Sequence, residues 1–432
     1  MLDPTLPMNS PAGARPRLLV LSHVLPFPGH SGQQQRVANT LRAVRDRFHV
    51  TFASVAPRGQ EARMRQELRN WCDEVLLLPS QYDRSRLANV LHQIRAKCFA
   101  LRTGLKTSNY VIGQLELSPA RVLSLVENRP YDLALIEYFH AADAASALRQ
   151  RGVPCVLDTH NVLWQAYDRQ LNDVAWTPRW WKRTALRRYQ QAEESAWRQF
   201  DGLIAINTGE ANYIRSRVPS DLPLFQACMG LDLSVWPYSW EPAQPPRVGY
   251  YGGLGSGHNA REALRCYQQI MPRIWMTSPK AELWIIGSKP PPEILALRED
   301  PRVRVTGFVE RAQDVLKTLS VCLCPWTGTY GFRSRLVEVM ALGVPVVASP
   351  DAAYGMEFNH GHGIFFEPDD ERMASAATKL LDDRPFARSQ SEAARRSVEA
   401  NYGFPATYGR MADELFAFAN RLRVSPGASA LG

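Results

Sequence analysis

The chain has 432 residues, more than the roughly 100–200 of a usual domain, so two domains are expected. Hydrophobic residues make up 45% of it and charged residues 22%, a globular profile that excludes a disordered or fibrous protein. The net charge of +9 favours an anionic partner, with a solvated arginine-rich surface as the alternative. Nucleic acid is disfavoured because zinc-finger spacing, a basic zipper and an RNP-like signature are all missing.

The first half of the chain predicts a parallel sheet. Short apolar runs alternate with glycine-rich or polar segments and with helical patterns, the order typical of βαβ units. The loop 26–32 opens a predicted helix over 33–48. The predicted strands are 17–22, 49–56, 75–78, 132–136, 154–157 and 202–206.

A second series of the same kind follows a proline-rich break. Its first strand runs into the loop Gly252–Gly257, and a helix is predicted from Asn259 to Trp275. The predicted strands are 248–251, 283–286, 303–305, 321–323 and 344–348. The sequence therefore predicts an α/β fold of two doubly wound Rossmann-like domains with a ligand cleft between them.

Predicted domain limits follow from these patterns. A disordered leader is expected over 1–16, because it is rich in proline and lacks the apolar core of a secretion signal. A first Rossmann-like domain over 17–236, a linker over 237–246 and a second Rossmann-like domain over 247–404 come next. The helix 405–423 is expected to pack back on the first domain, before a disordered tail over 424–432.

Cysteine usage and hydropathy indicate the compartment. The seven cysteines are scattered without paired CxxC spacing, which predicts no zinc site and a reducing environment. No stretch approaches the roughly 18 apolar residues that span a bilayer. The expected location is the cytoplasm, with peripheral attachment to the inner face of the membrane as an open possibility.

The stretch 325–350 carries the most chemistry. Gly328 and Gly331 allow backbone N–H groups close to a ligand, and a helix N-terminus follows them. Arg333 and Arg335 at that end suit phosphate oxygens, and Glu338 lies where a carboxylate can accept bonds from ribose hydroxyls. A solvated helix face, with Glu338 paired to Arg335, is the alternative.

This stretch resembles the donor-site motif of the retaining GT-B glycosyltransferases of family 4. Glu338 and the run Gly343 to Ala348 match that motif, whereas Tyr330 stands where the family has its first glutamate. The run from Gly331 with its two arginines is similar to a subgroup linked to exopolysaccharide assembly. By the same resemblance, Phe332 belongs to the donor site, and Tyr330 either stacks on the sugar or fills the space of the missing glutamate.

Weaker similarities in the same order extend the resemblance over most of the chain. They imply donor-binding roles for Gly32 after the first strand, for Gly253 in the glycine loop, and for Phe308 and Val309 in a loop that contacts the base. In the first domain the family's sugar-contacting histidine corresponds to Glu137, and His140 and His160 are further candidates. A locally bonded structural side chain is the alternative for each.

The resemblance implies transfer of a sugar, most simply a hexose, from a nucleotide-diphosphate sugar to a saccharide or lipid-linked saccharide in polysaccharide biosynthesis. It also implies that the domain over 17–236 is on the acceptor side and that the domain over 247–404 binds the nucleotide sugar. It implies Glu137, His160, Arg333 and Arg335 as catalytic residues, with no cofactor and no metal. Two alternatives stay open. One is a GT-B protein that binds nucleotide sugars but is impaired by Tyr330. The other is a dinucleotide-dependent oxidoreductase, which the loop 26–32 disfavours because it lacks GxGxxG.

Two basic stretches raise the possibility of an anionic membrane partner. Residues 84–106 carry apolar side chains at helical spacing, and residues 176–188 place Trp180 and Trp181 among arginines and a lysine. An amphipathic helix packed on its own core would give the same pattern.

Overall fold

The computed structural model describes residues 15–27, 29, 31–81, 85–103, 114–172, 178–329 and 331–424. The chain divides into two compact units. The first takes in the chain up to Ala227 and the segment from Tyr408 onward, and the second comprises Cys228–Thr407.

The first unit contains a seven-stranded sheet in the order β3-β2-β1-β4-β5-β6-β7, in which every described pairing is parallel. Its central strands are buried on both faces, as their continuous apolar sequences require. The strands are β1 (Arg17–Leu21), β2 (His49–Ala56), β3 (Glu74–Pro79), β4 (Leu133–Glu137), β5 (Cys155–Asp158), β6 (Gly202–Ala205) and β7 (Leu224–Gln226).

Helices of the first unit connect these strands. Ser31 and Asn207 begin two of them as N-caps, because each side chain accepts a hydrogen bond from a first-turn N–H. The helices are α1 (Gly32–Val44), α2 (Glu61–Leu68), α3 (Arg86–Thr103), α4 (Pro119–Val126), α5 (Ala142–Gln150), α6 (Leu163–Asn172), α7 (Arg179–Trp197), α8 (Thr208–Arg215) and, at the C-terminal end of the chain, α16 (Arg410–Val424). Helix α16 lies against α1 and β7.

The second unit contains a six-stranded sheet in the order β10-β9-β8-β11-β12-β13, again with parallel pairings. The strands are β8 (Arg247–Tyr251), β9 (Glu282–Ile286), β10 (Val303–Gly307), β11 (Val321–Cys324), β12 (Val346–Ala348) and β13 (Ile364–Phe366). The helices are α9 (Gly257–Arg265), α10 (Met271–Thr277), α11 (Pro292–Leu295), α12 (Ala312–Leu316), α13 (Ser334–Ala341), α14 (Asp370–Asp382) and α15 (Arg384–Asn401).

The two doubly wound sheets confirm the predicted fold class, with two differences in detail. The helix predicted over 259–275 is interrupted by a π-helical turn, Cys266–Ile270, just before Pro272, whose ring cannot continue a regular helix. Strands β7 and β13 are additional edge strands of three residues each. Among the described residues, no helix is both long and apolar enough to cross a membrane.

The strand order fixes where ligands can bind. In each sheet the order reverses beside the first strand of the unit, between β1 and β4 and between β8 and β11. Parallel sheets of this kind bind ligands outside the carboxyl ends of the strands at that reversal. The residues that follow β1, β4, β8 and β11 are therefore the ones to examine.

Candidate active site

In the second unit, a glycine-rich loop leaves β8 at the point of strand reversal. Gly252 runs so close to the end of β9 that a Cβ on Gly287 would lie 1.7 Å from the Gly252 carbonyl oxygen, so only glycine fits there. Asn259 fixes the loop by donating its side-chain N–H to the Gly253 carbonyl at 2.8 Å. The loop is thus held tightly against the end of β9, and its glycines place no side chain between the backbone and a ligand.

Arg335 lies directly over this loop. A Cβ on Gly253 would come within 3.3 Å of an Arg335 terminal nitrogen, and the guanidinium lies 5.5 Å from the centre of the Tyr251 ring. The side chains of Arg335 and Tyr251 also interact by hydrogen bonding. Helix α13, which follows β11, therefore projects a cation onto the carboxyl end of β8.

Glu338 completes this cluster one turn further along α13. Burial raises the pKa of the Glu338 carboxyl, while the Arg335 charge and hydrogen bonds from Tyr251 and Ser334 oppose that rise. Burial and the neighbouring Glu338 also raise the pKa of the Tyr251 hydroxyl, which therefore stays a hydrogen-bond donor at neutral pH. The structure brings together Gly253, Arg335 and Glu338, three of the residues singled out in the sequence, and adds Tyr251.

Arg333 has a different environment. It is the residue before α13, and its guanidinium donates to the carbonyl oxygens of Thr327 and Gly328 at 3.2 and 3.3 Å. It also lies 5.5 Å from the centre of the Trp326 ring. Gly328 has a left-handed φ of +91° and donates its N–H to Asp351 at 2.9 Å. Arg333 therefore braces the loop that follows β11.

The remaining donor-site candidates occupy the same end of the second sheet or its neighbourhood. Phe308 follows β10 and is 79% exposed, whereas Val309 packs against the core. Phe332 is half-buried beside the Tyr402 ring, with 5.9 Å between ring centres. Gly331 has a left-handed φ of +62°. Tyr330 lies outside the described residues.

In the first unit, Glu137 and His160 meet at the carboxyl ends of β4 and β5. Glu137 is the last residue of β4 and is fully buried, and its Oε2 contacts His160 Nε2. Its Oε1 has no hydrogen-bond partner among the described residues. Burial raises the pKa of Glu137, and His160 opposes the rise.

The backbone around this pair is strained. Tyr138 and His160 both have left-handed φ values, +71° and +58°, which are costly for residues with a Cβ and which cluster at functional sites. Their rings stack with centres 3.9 Å apart, and the centre of the His23 ring lies 5.1 Å from the centre of the Tyr138 ring. The stacked pair holds the His160 ring against Glu137.

A buried ion pair between Arg36 and Asp158 lies at the carboxyl end of β5. Arg36 of α1 donates to both Asp158 oxygens at 2.7 Å and to the Ala227 carbonyl at 2.8 Å. Burial by itself lowers the pKa of Arg36, but the Asp158 carboxylate outweighs it and raises that pKa. For Asp158, burial favours the neutral form, but Arg36 holds the pKa of the carboxyl below its usual range.

Glu137, Asp158 and His160 also have the spacing of a metal site, since one ligand atom from each lies within 4.8 Å of the others. However, both Asp158 oxygens accept from Arg36, and His160 Nε2 faces Glu137. The possible ligand atoms are thus already engaged with Arg36 or with one another. The cluster is better described as an ion-pair network than as an open set of metal ligands.

The other two first-unit candidates, Gly32 and His140, have different surroundings from the Glu137–His160 pair. Gly32 is the exposed first residue of α1, next to the capping Ser31. His140 is buried against Phe139, and its Nε2 lies 3.3 Å from the Tyr189 hydroxyl. Its burial lowers the pKa of His140, which stays neutral as a packed ring.

Sequence reasoning missed three members of these clusters. Tyr251 reads only as the end of an apolar strand, and no sequence pattern assigns a role to Asp158 or Arg36. The signal that could have found Asp158 and Tyr251 was available: Asp158 directly follows a predicted parallel strand and Tyr251 ends one, both at the carboxyl ends where ligands bind. The pairing of Arg36 with Asp158 depends on the packing of α1 and leaves no such trace.

Two family models match the chain. The glycosyl transferase 4-like domain matches residues 31–222, and glycosyl transferases group 1 matches residues 245–383. Together the matches cover most of the chain and fall on the two sheets described above. No curated protein sequence matches it.

Solved structures agree in architecture at low sequence identity. HepE of Anabaena in complex with UDP has 16% identity and a TM-score of 0.62, covering 93% of this chain and all of its own. Sucrose-phosphate synthase of Thermosynechococcus elongatus has 18% identity and a TM-score of 0.63, covering 94% and 100%. A glycosyltransferase of Rickettsia africae has 12% identity and a TM-score of 0.61, covering 94% and 99%.

These similarities, with the two Rossmann-like sheets, define a two-domain α/β protein of the GT-B fold. Within that fold class, each of the two matching family models describes a glycosyltransferase domain, one on each unit of the chain.

Proposed function

We propose that the protein transfers a sugar, most simply a hexose, from a nucleotide-diphosphate sugar to a saccharide or lipid-linked saccharide acceptor in polysaccharide biosynthesis. The observation that carries this proposal is the cluster at the end of β8, where Arg335 lies over a glycine loop beside Glu338 and Tyr251. HepE has been crystallised with UDP, with UDP and glucose, and with UDP-glucose, which supports a donor of this chemical class.

Each group in the cluster has a chemical part in that proposal. Arg335 and the backbone of the glycine loop bind the donor diphosphate, and Arg333 holds the loop after β11 in place while adding positive charge. Glu338 accepts hydrogen bonds from the ribose hydroxyls. Phe308, exposed at the end of β10, stacks on the base.

In the first unit, Glu137 and His160 contact the transferred sugar. The buried Oε1 of Glu137 is an acceptor without a partner among the described residues, and a sugar hydroxyl would supply one. Stacking on Tyr138 holds the His160 ring in a fixed orientation. This accounts for strained backbone at the ends of β4 and β5.

We infer a retaining reaction that needs no metal. Negative charge that develops on the leaving diphosphate is stabilised by Arg335, by Arg333 and by the N-terminus of α13, so fixed cations and dipoles take the part that a divalent ion has in other transferases. The leaving phosphate oxygen then accepts the proton of the acceptor hydroxyl.

A binding screen followed by turnover tests this function. Thermal unfolding is measured with UDP-, GDP- and ADP-sugars in EDTA, where a ligand at 100 times its Kd adds about 2.7 kcal/mol of stability. We expect one base to stabilise the protein, and transfer to saccharide acceptors to continue in EDTA with the anomeric configuration of the donor kept, as read by proton NMR. Stabilisation without turnover would instead identify a nucleotide-sugar-binding protein, and no stabilisation by any donor would refute the proposal.

A further inference from the structure

Helix α3 carries an apolar stripe that faces solvent. Leu87, Val90, Leu91 and Ile94 are 69%, 55%, 53% and 52% exposed. Their spacing places them on one side of the helix, because positions three, four and seven apart share a face. The opposite side, with His92 and Ala96, is buried. The helix is thus docked on its unit by one face and presents a second apolar face outward.

Helix α7 lies against α3 and also carries exposed side chains. Its Trp180 is 71% exposed, and Arg183 and Arg187, three and seven residues further along, are exposed as well. These three side chains therefore share the outer face of α7. A tryptophan among cations at the margin of an apolar surface is the arrangement found where proteins meet the boundary between lipid and water.

The two segments that contain α3 and the first part of α7 carry charge of one sign. Neither 84–115 nor 174–192 contains an aspartate or a glutamate. Both contain several basic residues, of which the exposed described ones are Arg86, Arg95, Lys97, Arg179, Arg183, Arg187 and Arg188. On α3, Arg86 and Lys97 lie on one side of the apolar stripe and Arg95 on the other. An apolar centre with a cationic rim complements an anionic, apolar partner.

We propose that the surface formed by the apolar stripe of α3 and the outer face of α7 docks on an anionic lipid bilayer, with the stripe in the boundary between headgroups and acyl chains. A second copy of the chain fits less well, because two cationic rims would face one another and repel. Four aliphatic side chains more than half exposed supply apolar area, and each Lys or Arg near an anionic surface adds attraction. This proposal does not depend on which sugar is transferred.

Sedimentation with vesicles tests the docking surface on the full chain. Wild type, the double variant Leu87→Gln/Leu91→Gln and the control Met276→Gln are spun with phosphatidylcholine vesicles that contain or lack phosphatidylglycerol. Met276 is 84% exposed in the other unit and is a matched apolar control. We expect binding to the anionic vesicles only, a loss of at least tenfold in the partition coefficient for the double variant, and no change for the control.

The charged part is tested separately. Arg183→Gln/Arg187→Gln should weaken binding several-fold and flatten its dependence on salt, and Trp180→Ala, at a side chain that is mostly exposed, should weaken it without affecting thermal unfolding. Equal sedimentation of wild type and the Leu87/Leu91 variant overturns the proposal, as does failure of wild type to bind anionic vesicles. Light scattering that shows a wild-type dimer abolished in that variant would assign the surface to a second copy instead and would also overturn it.

Discussion

Replacing Glu338 by glutamine isolates its charge from its size. In the structure the Glu338 carboxyl is half-buried with Arg335 and Tyr251 as neighbours, and burial has already raised its pKa. Hydrogen bonds from ligand hydroxyls to a charged acceptor contribute about 1.5–3 kcal/mol, and glutamine keeps only one neutral acceptor oxygen. We therefore expect nucleotide affinity to fall about 10- to 100-fold in Glu338→Gln, at the rate of about 1.4 kcal/mol per tenfold.

The control for this change is Glu282→Gln. Glu282 is also a half-buried carboxylate of the second unit, and it accepts a hydrogen bond from the Trp284 indole at 2.9 Å and lies near Arg247. However, it is the first residue of β9 and so lies at the amino ends of the strands, away from the proposed site. Calorimetric titration with the nucleoside diphosphate should show that Glu282→Gln binds it as tightly as wild type does. If Glu338→Gln folds normally and binds as tightly as wild type, the assignment of Glu338 to the ribose is wrong.

Three further predictions concern the first unit and are read by urea unfolding. Asp158→Ala leaves the Arg36 charge buried without its carboxylate, so we expect a loss of about 3–5 kcal/mol; Asp158→Asn, which keeps the shape, should lose less, and a loss under about 1 kcal/mol would contradict the ion-pair account. Glu193→Ala removes the acceptors of the first two N–H groups of α6, bonded at 2.8 Å each, and should cost about 2–4 kcal/mol, with Glu193→Gln in between. Burial and the charge of His160 lower the pKa of His23 to about 4. As the pH falls, the His23 ring is therefore protonated in the unfolded chain before it is protonated in the folded one, and the free energy of unfolding falls between pH 6.5 and pH 4. At pH 5 the loss from His23 is at most about 2 kcal/mol, and His23→Asn should reduce the pH 7 to pH 5 difference; an unchanged difference would mean that the ring is solvated.

Much of the fold could be predicted from the sequence because buried parallel strands consist of short apolar runs between turn-forming residues. The runs at 17–22 and 248–251 became β1 and β8 almost residue for residue. The edge strands β7 and β13 have three residues each and are only partly buried, whereas the equally short β12 is fully buried and apolar and was predicted. The break in the helix predicted over 259–275 has a local sequence signal in Pro272, whose ring cannot continue a regular helix.

The candidate site was predictable only in part, since strand ends are local but contacts between side chains are not. Glu338 and Arg335 lie within one motif, so their proximity follows from helix spacing. Their contact with Tyr251 requires β8 and β11 to be neighbours, which depends on the order of the sheet. Likewise, the contact of Glu137 with His160 follows from the pairing of Glu137 with Asp158 at the ends of β4 and β5.

The most direct measurement of the central claim is a calorimetric titration of nucleoside diphosphate into wild type and Arg335→Gln, in EDTA. Arg335 lies over Gly253, and its charge should account for much of the diphosphate binding energy. The account predicts metal-independent binding by wild type and at least tenfold weaker binding by the variant, with thermal unfolding little changed. Equal affinities in the two proteins, or binding that disappears in EDTA, would contradict it.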